Sequence, residues 1–240
     1  MKTRNLKFNT IGGFTLIAIL VLQGWGCKKD NNTTEDPVYS ANSQMYGKSY
    51  SQWAAEWWKW NLQFDCAHFP ISDVDGSMEN QDQGGSVYFL AGKRGNTLSV
   101  TVPSGASILF PLITFESDYP AASDTSYHPA SGESVEHFLT SMTQGGVNAM
   151  DQLSLTIDGD SVTNISSFQV LSPLFTMSAN VDLAGCFDDY ITGTNQSFVG
   201  GGYFFMLRPL SPGTHTIHRV GGASAFFPFV YDITYNITQL

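Results

Sequence analysis

Residues 53–60 read WAAEWWKW and place four of the chain's five tryptophans within eight positions. Ser49, followed three residues later by Gln52, has the spacing of a capping box, so a helix is expected over residues 50–62. At roughly 100° per residue, Tyr50, Trp53, Trp57, Trp60 and Phe64 fall within about an 80° arc. Ala54, Trp58 and Leu62 widen that face, leaving Gln52, Ala55, Glu56 and Lys59 as the outer strip. Four indoles carry roughly 600–1,000 Å² of surface. The largest apolar patch on a typical monomer is about 300–600 Å². The helix is therefore expected to be covered by the rest of the fold, a burial worth on the order of 15–25 kcal/mol as an upper bound. Trp58 lies off the main stripe and is the ring expected to face a ligand.

What covers it reads as strands. Segments 86–90, 97–102, 107–113, 153–157, 168–171, 202–207, 215–219 and 229–237 are short, rich in β-branched and aromatic residues, and bounded by Gly, Pro, Asp and Ser. Asp158-Gly159 marks a hairpin, because a type I′ turn needs positive φ. A second helix is expected from near Glu133, where Val135, Phe138, Leu139 and Met142 repeat at helical spacing, with Gly145-Gly146 ending it. Helices do not alternate with strands, so a parallel α/β sheet is disfavoured. The expected class is mainly β: an antiparallel, jelly-roll-like β-sandwich with two short helices, the Trp-rich one packed on the sandwich.

The N-terminus predicts where the chain goes. Lys2, Arg4 and Lys7 precede the apolar run from Ile11 to Leu22, which is signal-peptide length and short for a bilayer span. Cys27 follows, then a polar stretch. Residues 1–26 resemble a bacterial lipoprotein signal, and Cys27 is then the lipidated residue. Gly26 fits the usual pattern, whereas Gly24 and Trp25 depart from it, so a secreted form cut near Gly26 or an uncleaved anchor is the alternative. Residues 27–43 are read as a flexible tether and 44–240 as a single sandwich domain. The expected location is lipid-anchored in the envelope, at the outer membrane. The formal charge of −10 becomes more negative once the basic signal is removed, which argues against nucleic acid as a partner. Membrane attachment then rests on the lipid. With Cys27 assigned, Cys66 and Cys186 are left, either bridged in an oxidising compartment or separately buried.

Five blocks, YGKSYSQWAAEWWKW (46–60), GGSVYFLAG (84–92), TVPSGASILFPLI (101–113), LSLTIDGDSV (153–162) and GGYFFMLRPLSPGTHTIH (201–218), carry a resemblance. They resemble an uncharacterised family of exported bacterial proteins and lipoproteins. That family has a Tyr-Gly-x-Ser-Tyr-x-x-Trp…Trp-Trp-x-Trp helix and a Leu-Ser-Pro-Gly-x-His-Thr-Ile hairpin. The resemblance implies an exported domain of these limits and no catalytic residue.

Candidate chemistry is sparse. Glu116 and Asp118 follow an apolar strand directly, where carboxylates often line a cleft; with Glu56 they are the candidates for acid/base work. Together with Trp58 they are also the candidate ligand-binding set. Asp73, Asp75 and Glu79 alternate at a spacing that suits calcium, although Gly76 is misplaced for an EF-hand. A solvated acidic loop with no metal is the reading adopted. His215 and His218, three apart on a strand, should point to opposite faces. A G-x-S-x-G elbow, a P-loop, a C-x-x-C and an HExxH are all missing from the sequence, and the glycines at 200–202 precede a strand rather than a helix. No cofactor is expected. These observations favour a non-catalytic, lipid-anchored protein binding a glycan or another envelope component. The alternatives are a carboxylate-dependent hydrolase using Glu116, Asp118 or Glu56, or a purely structural envelope protein.

Overall fold

Helix α1 (Tyr50–Leu62) begins where its cap requires: the Ser49 side chain accepts from the Gln52 N–H, and Gln52 Oε1 accepts from the Ser49 N–H at 2.9 Å. In this computed structural model the described residues are 36–121, 124–224 and 228–240. The predicted signal segment, Cys27 and the tether up to residue 35 lie outside them. Ten strands follow α1: β1 (Val87–Phe89), β2 (Thr97–Val102), β3 (Ser107–Tyr119), β4 (Gln152–Ile157), β5 (Asp160–Ser161), β6 (Gln169–Leu171), β7 (Phe175–Ser178), β8 (Asn195–Leu207), β9 (Gly213–Ala223) and β10 (Phe229–Gln239). Helix α2 (Val135–Asn148) lies between β3 and β4.

The strands form two sheets. One runs β1-β3-β8-β6, with β7 also paired to β8; the other runs β2-β10-β9-β4-β5. Pairings are antiparallel except β1 with β3 and β2 with β10. The mainly β, sandwich-like class expected from the sequence is what the chain adopts. The type I′ signal is also met, with Asp158 and Gly159 both at positive φ between β4 and β5.

Burial patterns order the layers. Strands β2 and β10 alternate buried with exposed positions, as sheet strands with one wet face do. Strands β3 and β8 are buried almost continuously, so their sheet is covered on both sides. On one side lies α1: the Trp57 ring meets Phe204 of β8 at 5.9 Å. On the other, Phe110 and Phe205 stack and Phe110 meets Tyr235 of β10. Toward the start of β8 that second side is covered by α2, where Thr143 Oγ1 donates to Val199 O at 2.9 Å.

All four clustered indoles are buried, and each N–H finds an acceptor: Trp53 on Met45 O, Trp57 on Leu90 O, Trp58 on Thr114 Oγ1 and Trp60 on Gln81 O, at 2.8–3.2 Å. The helix thus serves as the nucleus of one core layer. Its seat on β8 is made by glycine. A Cβ on Gly200 would lie 2.1 Å from Trp58 Cδ1, and one on Gly201 would press on Leu171, Thr143 and Val147. Gly202, at φ +153, lies too close to Ile113 O for any side chain.

Three expectations are corrected. The chain joins the body from Asp36 rather than residue 44: Tyr39 N–H donates to Met206 O, Arg208 N–H donates to Pro37 O, and Val38 is buried. Helix α2 runs through Gly145-Gly146 to Asn148, because Gly146 lets it approach Phe115, whose ring lies 2.7 Å from where a Cβ would stand. Strand β3 extends six residues past the expected end and β8 begins seven residues early, because β3 and β8 satisfy each other along almost their whole lengths.

Cys66 and Cys186 form a disulfide, with Cα atoms 6.1 Å apart. Closing a loop of this length stabilises by about 5 kcal/mol in the chain-entropy account.

The glycine seat predicts opposite outcomes for two alanine substitutions. Gly200→Ala should destabilise by about 1–3 kcal/mol or more through overpacking against Trp58. Gly145→Ala, which meets nothing within 4 Å in a helix interior, should stabilise by about 1 kcal/mol. Urea unfolding followed by near-UV circular dichroism measures both.

Candidate functional site

Strand β1 pairs with β3 only over Ser107–Leu109, so β3 presents an unpaired edge beyond that point. A bare edge is a liability, and the fold handles it with one cation. The register of β3 against β8 shifts between Pro111 and Ile113, and Arg219 Nη1 donates there to Pro111 O (2.6 Å) and Leu112 O (2.9 Å). Arg219 Nη2 donates to Ala91 O at 2.7 Å and Nε to the Tyr235 hydroxyl, which itself donates to Ala91 O. The guanidinium, 4% exposed, ties β9 to the edge of the middle sheet.

Beyond these carbonyls the edge opens into a cleft of about 610 Å³. An edge exposes side chains of both strand faces, so Thr114 and Glu116 reach it from one face and Phe115 from the other. Trp58 enters from α1, Phe187 and Asp188 from the loop after a 3-10 turn at Val181–Gly185, and Phe229 and Tyr231 from β10. Gly146, Ala149, Met150 and Ala223 form a low wall, and Arg94 contributes from the loop between β1 and β2. A smaller pocket of about 80 Å³ shares Trp58, Thr114, Phe187 and Tyr231 with the cleft and reaches inward to Arg219 and Trp57.

The cleft is aromatic and acidic. Burial pushes the Glu116 carboxyl well above the usual range; the neighbouring Asp118 and Asp188 carboxylates push it further, and Asp188 stands within hydrogen-bonding reach of it. Glu116 Oε2 has no hydrogen-bond partner. Asp118, two residues on and facing the same way, is 1% exposed. Burial and the charge of Asp188 push its pKa up to about 7, although Gln196 Nε2 donates to its Oδ2 at 2.7 Å; its Oδ1 is unpartnered. Glu116 and Asp118 therefore keep their protons to higher pH than exposed carboxyl groups do.

The sequence candidates are only partly brought together. Trp58 and Glu116 line the cleft, and Asp118 lies behind Glu116 but off the wall. Trp58 is not the exposed ring expected: at 3% exposure it is wedged between Gly200, Trp57 and Phe187, with only an edge toward the cleft. Glu56 is elsewhere, on the outer strip of α1, paired with Lys48 (2.8 Å) and Lys59 (3.0 Å). The acidic loop uses its oxygens internally: Asp73 accepts from the N–H groups of Asp75, Gly76 and Met78, and Asp75 from that of Ser77. Glu79 turns inward to accept from Ala91 N–H, with burial holding its carboxyl well above the usual range. Among the described residues, no group of three or more His, Cys, Asp or Glu is arranged to hold a metal ion. His215 pairs with Asp158 and His218 with Asp232.

Asp188, Phe187, Tyr231, Phe229 and Arg94 were missed. For two of them a signal existed: Cys186-Phe187-Asp188 is contiguous, and a bridge to Cys66 puts that tripeptide beside the end of the Trp-rich helix. For β10, alternation marks Phe229 and Tyr231 as one face but does not say where sheet cover ends. No family model, no curated protein and no solved structure matches the chain.

The carboxyl group sets the sign of one pH dependence. A carboxyl whose folded pKa is raised keeps its proton in the native state while the unfolded chain has released it, so stability is highest below about pH 4 and falls as pH rises. For Asp118 the fall extends to about pH 7. Each such group contributes a slope of about 1.4 kcal/mol per pH unit in that window. Asp118→Asn and Glu116→Gln should each flatten the decline of Tm between pH 4.5 and 7, measured by calorimetry. A second expectation concerns the bridge: the Cys66→Ala/Cys186→Ala pair should lower stability by up to about 5 kcal/mol and speed hydrogen exchange at Phe187 and Asp188 more than in β8.

Proposed function

We propose that the chain is an exported, lipid-anchored envelope protein whose cleft binds a glycan without catalysing a reaction on it. The observation that carries this reading is the lining of the cleft. Phe187, Phe229 and Tyr231 offer apolar ring surface for sugar rings, with Trp58 bordering them, and Glu116 and Asp188 offer acceptor oxygens for hydroxyl groups. The volume lies within the usual 300–1,000 Å³ of small-ligand sites. The signal-like N-terminus supports export, and the bridge between Cys66 and Cys186 suits an oxidising compartment.

A hydrolase is the second reading, favoured by a carboxyl poised to about pKa 7 at Asp118. Geometry weighs against it. Two carboxylates that cleave a glycosidic bond flank it at about 5–5.5 Å or 6.5–9.5 Å, whereas Glu116 and Asp188 stand within hydrogen-bonding reach of each other. Glu56, the remaining candidate, is occupied by two lysines away from the cleft.

Titration with envelope polysaccharides should give a saturable change in tryptophan fluorescence, because Trp58 borders the cleft. Tyr231→Ala, at a half-buried position, should weaken binding about tenfold, equivalent to about 1.4 kcal/mol. A flat fluorescence response to every polysaccharide, or release of reducing ends on incubation, counts against the proposal.

A further inference from the structure

We propose that the glycan recognised in this cleft bears a free amine, whose ammonium group sits on Glu116 and Asp188 and faces the surrounding aromatic rings. The inference rests on the glycan-binding reading and narrows its ligand class. It starts from an imbalance of charge. Glu116, Asp118 and Asp188 are grouped at one end of the cleft, yet among the described residues no Lys, Arg or His forms an ion pair with any of them. Other carboxylates are matched, Glu56 by two lysines, Asp158 and Asp232 each by a histidine and Asp73 by three backbone donors, although buried Glu79 also keeps an unpartnered oxygen outside the cleft lining.

Two oxygens make the imbalance specific. Asp118 is 1% exposed and its Oδ1 has no partner; Glu116 Oε2 is likewise buried and unpartnered. A buried acceptor without a donor is destabilising, more so when charged. A hydroxyl group of a neutral sugar would supply one donor and no charge. A metal ion would supply charge, but these carboxylates are not arranged as a metal-holding group. An ammonium supplies three donors and a full positive charge.

The walls fit the same group. Ring faces attract cations, more strongly when water is excluded, and Phe187, Phe229 and Tyr231 line the cleft with the carboxylates. Arg94 is the basic side chain on the wall; it is exposed, on the connecting loop. An amine bound deep and hydroxyl groups lying toward Arg94 is the orientation these charges favour. Binding an ammonium releases to solvent the proton that burial holds on the Glu116 carboxyl, and no other bond is made or broken.

The test compares two sugars that differ only in acetylation. A glucosamine tetramer and an N-acetylglucosamine tetramer are titrated calorimetrically into the full-length chain in detergent, with maltotetraose as a neutral third probe. The expected result is at least tenfold tighter binding of the amine form. Glu116→Gln and Asp188→Asn should each reduce that preference to threefold or less, with an unchanged near-UV circular dichroism spectrum certifying that the variants are folded. Asp188, half-buried on a loop, is the safer of the two if the strand variant is unstable. Equal or tighter binding of the N-acetylated or neutral sugar, or a preference that survives both substitutions, overturns the amine inference and leaves glycan binding standing. Failure of all three sugars to bind removes both.

Discussion

The seating of Trp58 on Gly200 is the contact from which the rest of the architecture follows. A helix carrying four indoles in eight positions cannot lie on an ordinary strand surface, because side chains there would hold it away. At Gly200 the strand has no side chain, and the indole comes down onto the backbone. That approach brings Trp57 onto Phe204 and Trp60 toward Phe89. It also makes one sheet the middle layer, since its opposite face still needs cover. The second sheet and α2 supply that cover, and Gly201 and Gly221 permit the close approach on that side. Three-layer packing is thus a consequence of where glycine replaces bulk.

A middle sheet covered on both faces has only its edges left for function. Strand β1 is too short to protect β3, and Arg219 protects only the two carbonyls at the irregular register. Past them the edge is open, and side chains of both parities meet the same space. This explains why Phe115 and Glu116, adjacent in sequence and pointing to opposite faces, both line one cleft. Arg219 also carries charge into the interior. It donates four hydrogen bonds to uncharged oxygens, and the buried Glu79 is an electrostatic rather than a hydrogen-bonded partner.

How much of this was written legibly in the sequence depends on the range of the interaction. The capping box at Ser49, the burial of the indoles and the Asp158-Gly159 turn are local or nearly so, and they read correctly. Fold class followed from alternation and turn residues. The lengths of β3 and β8 did not, because Phe115-Glu116-Ser117 is strand only by virtue of its partner Val199-Gly200-Gly201. The glycine triplet was read as preceding a strand and instead lies inside β8, at the point where three layers touch. Gly145-Gly146 looked like a helix end and is a packing surface. In the site, Glu116 and Asp118 were singled out as carboxylates directly after an apolar strand; Glu116 lines the cleft and Asp118 lies behind it. Asp188 was hidden behind a pairing of cysteines that spacing alone leaves open, and Glu56 was misassigned because a wide apolar face on a helix does not say which flank meets a cleft.

The carboxylates by the cleft run against the stability of the fold. Asp118 is almost fully buried and Glu116 partly so, and the charge of Asp188 penalises the ionised form of both. Replacing them with amides or apolar residues would relieve a cost that nothing in the packing of the sheets requires. The disulfide works in the other direction: it stabilises by closing a long loop, and it does so at the residue next to Phe187 and Asp188. The covalent constraint therefore sits beside the part of the chain where like charges are held together. A loop that only had to join β7 to β8 would not need both. An arrangement that holds an acidic group against its own repulsion, at the open end of an otherwise closed sandwich, is what a site shaped for a complementary cation requires.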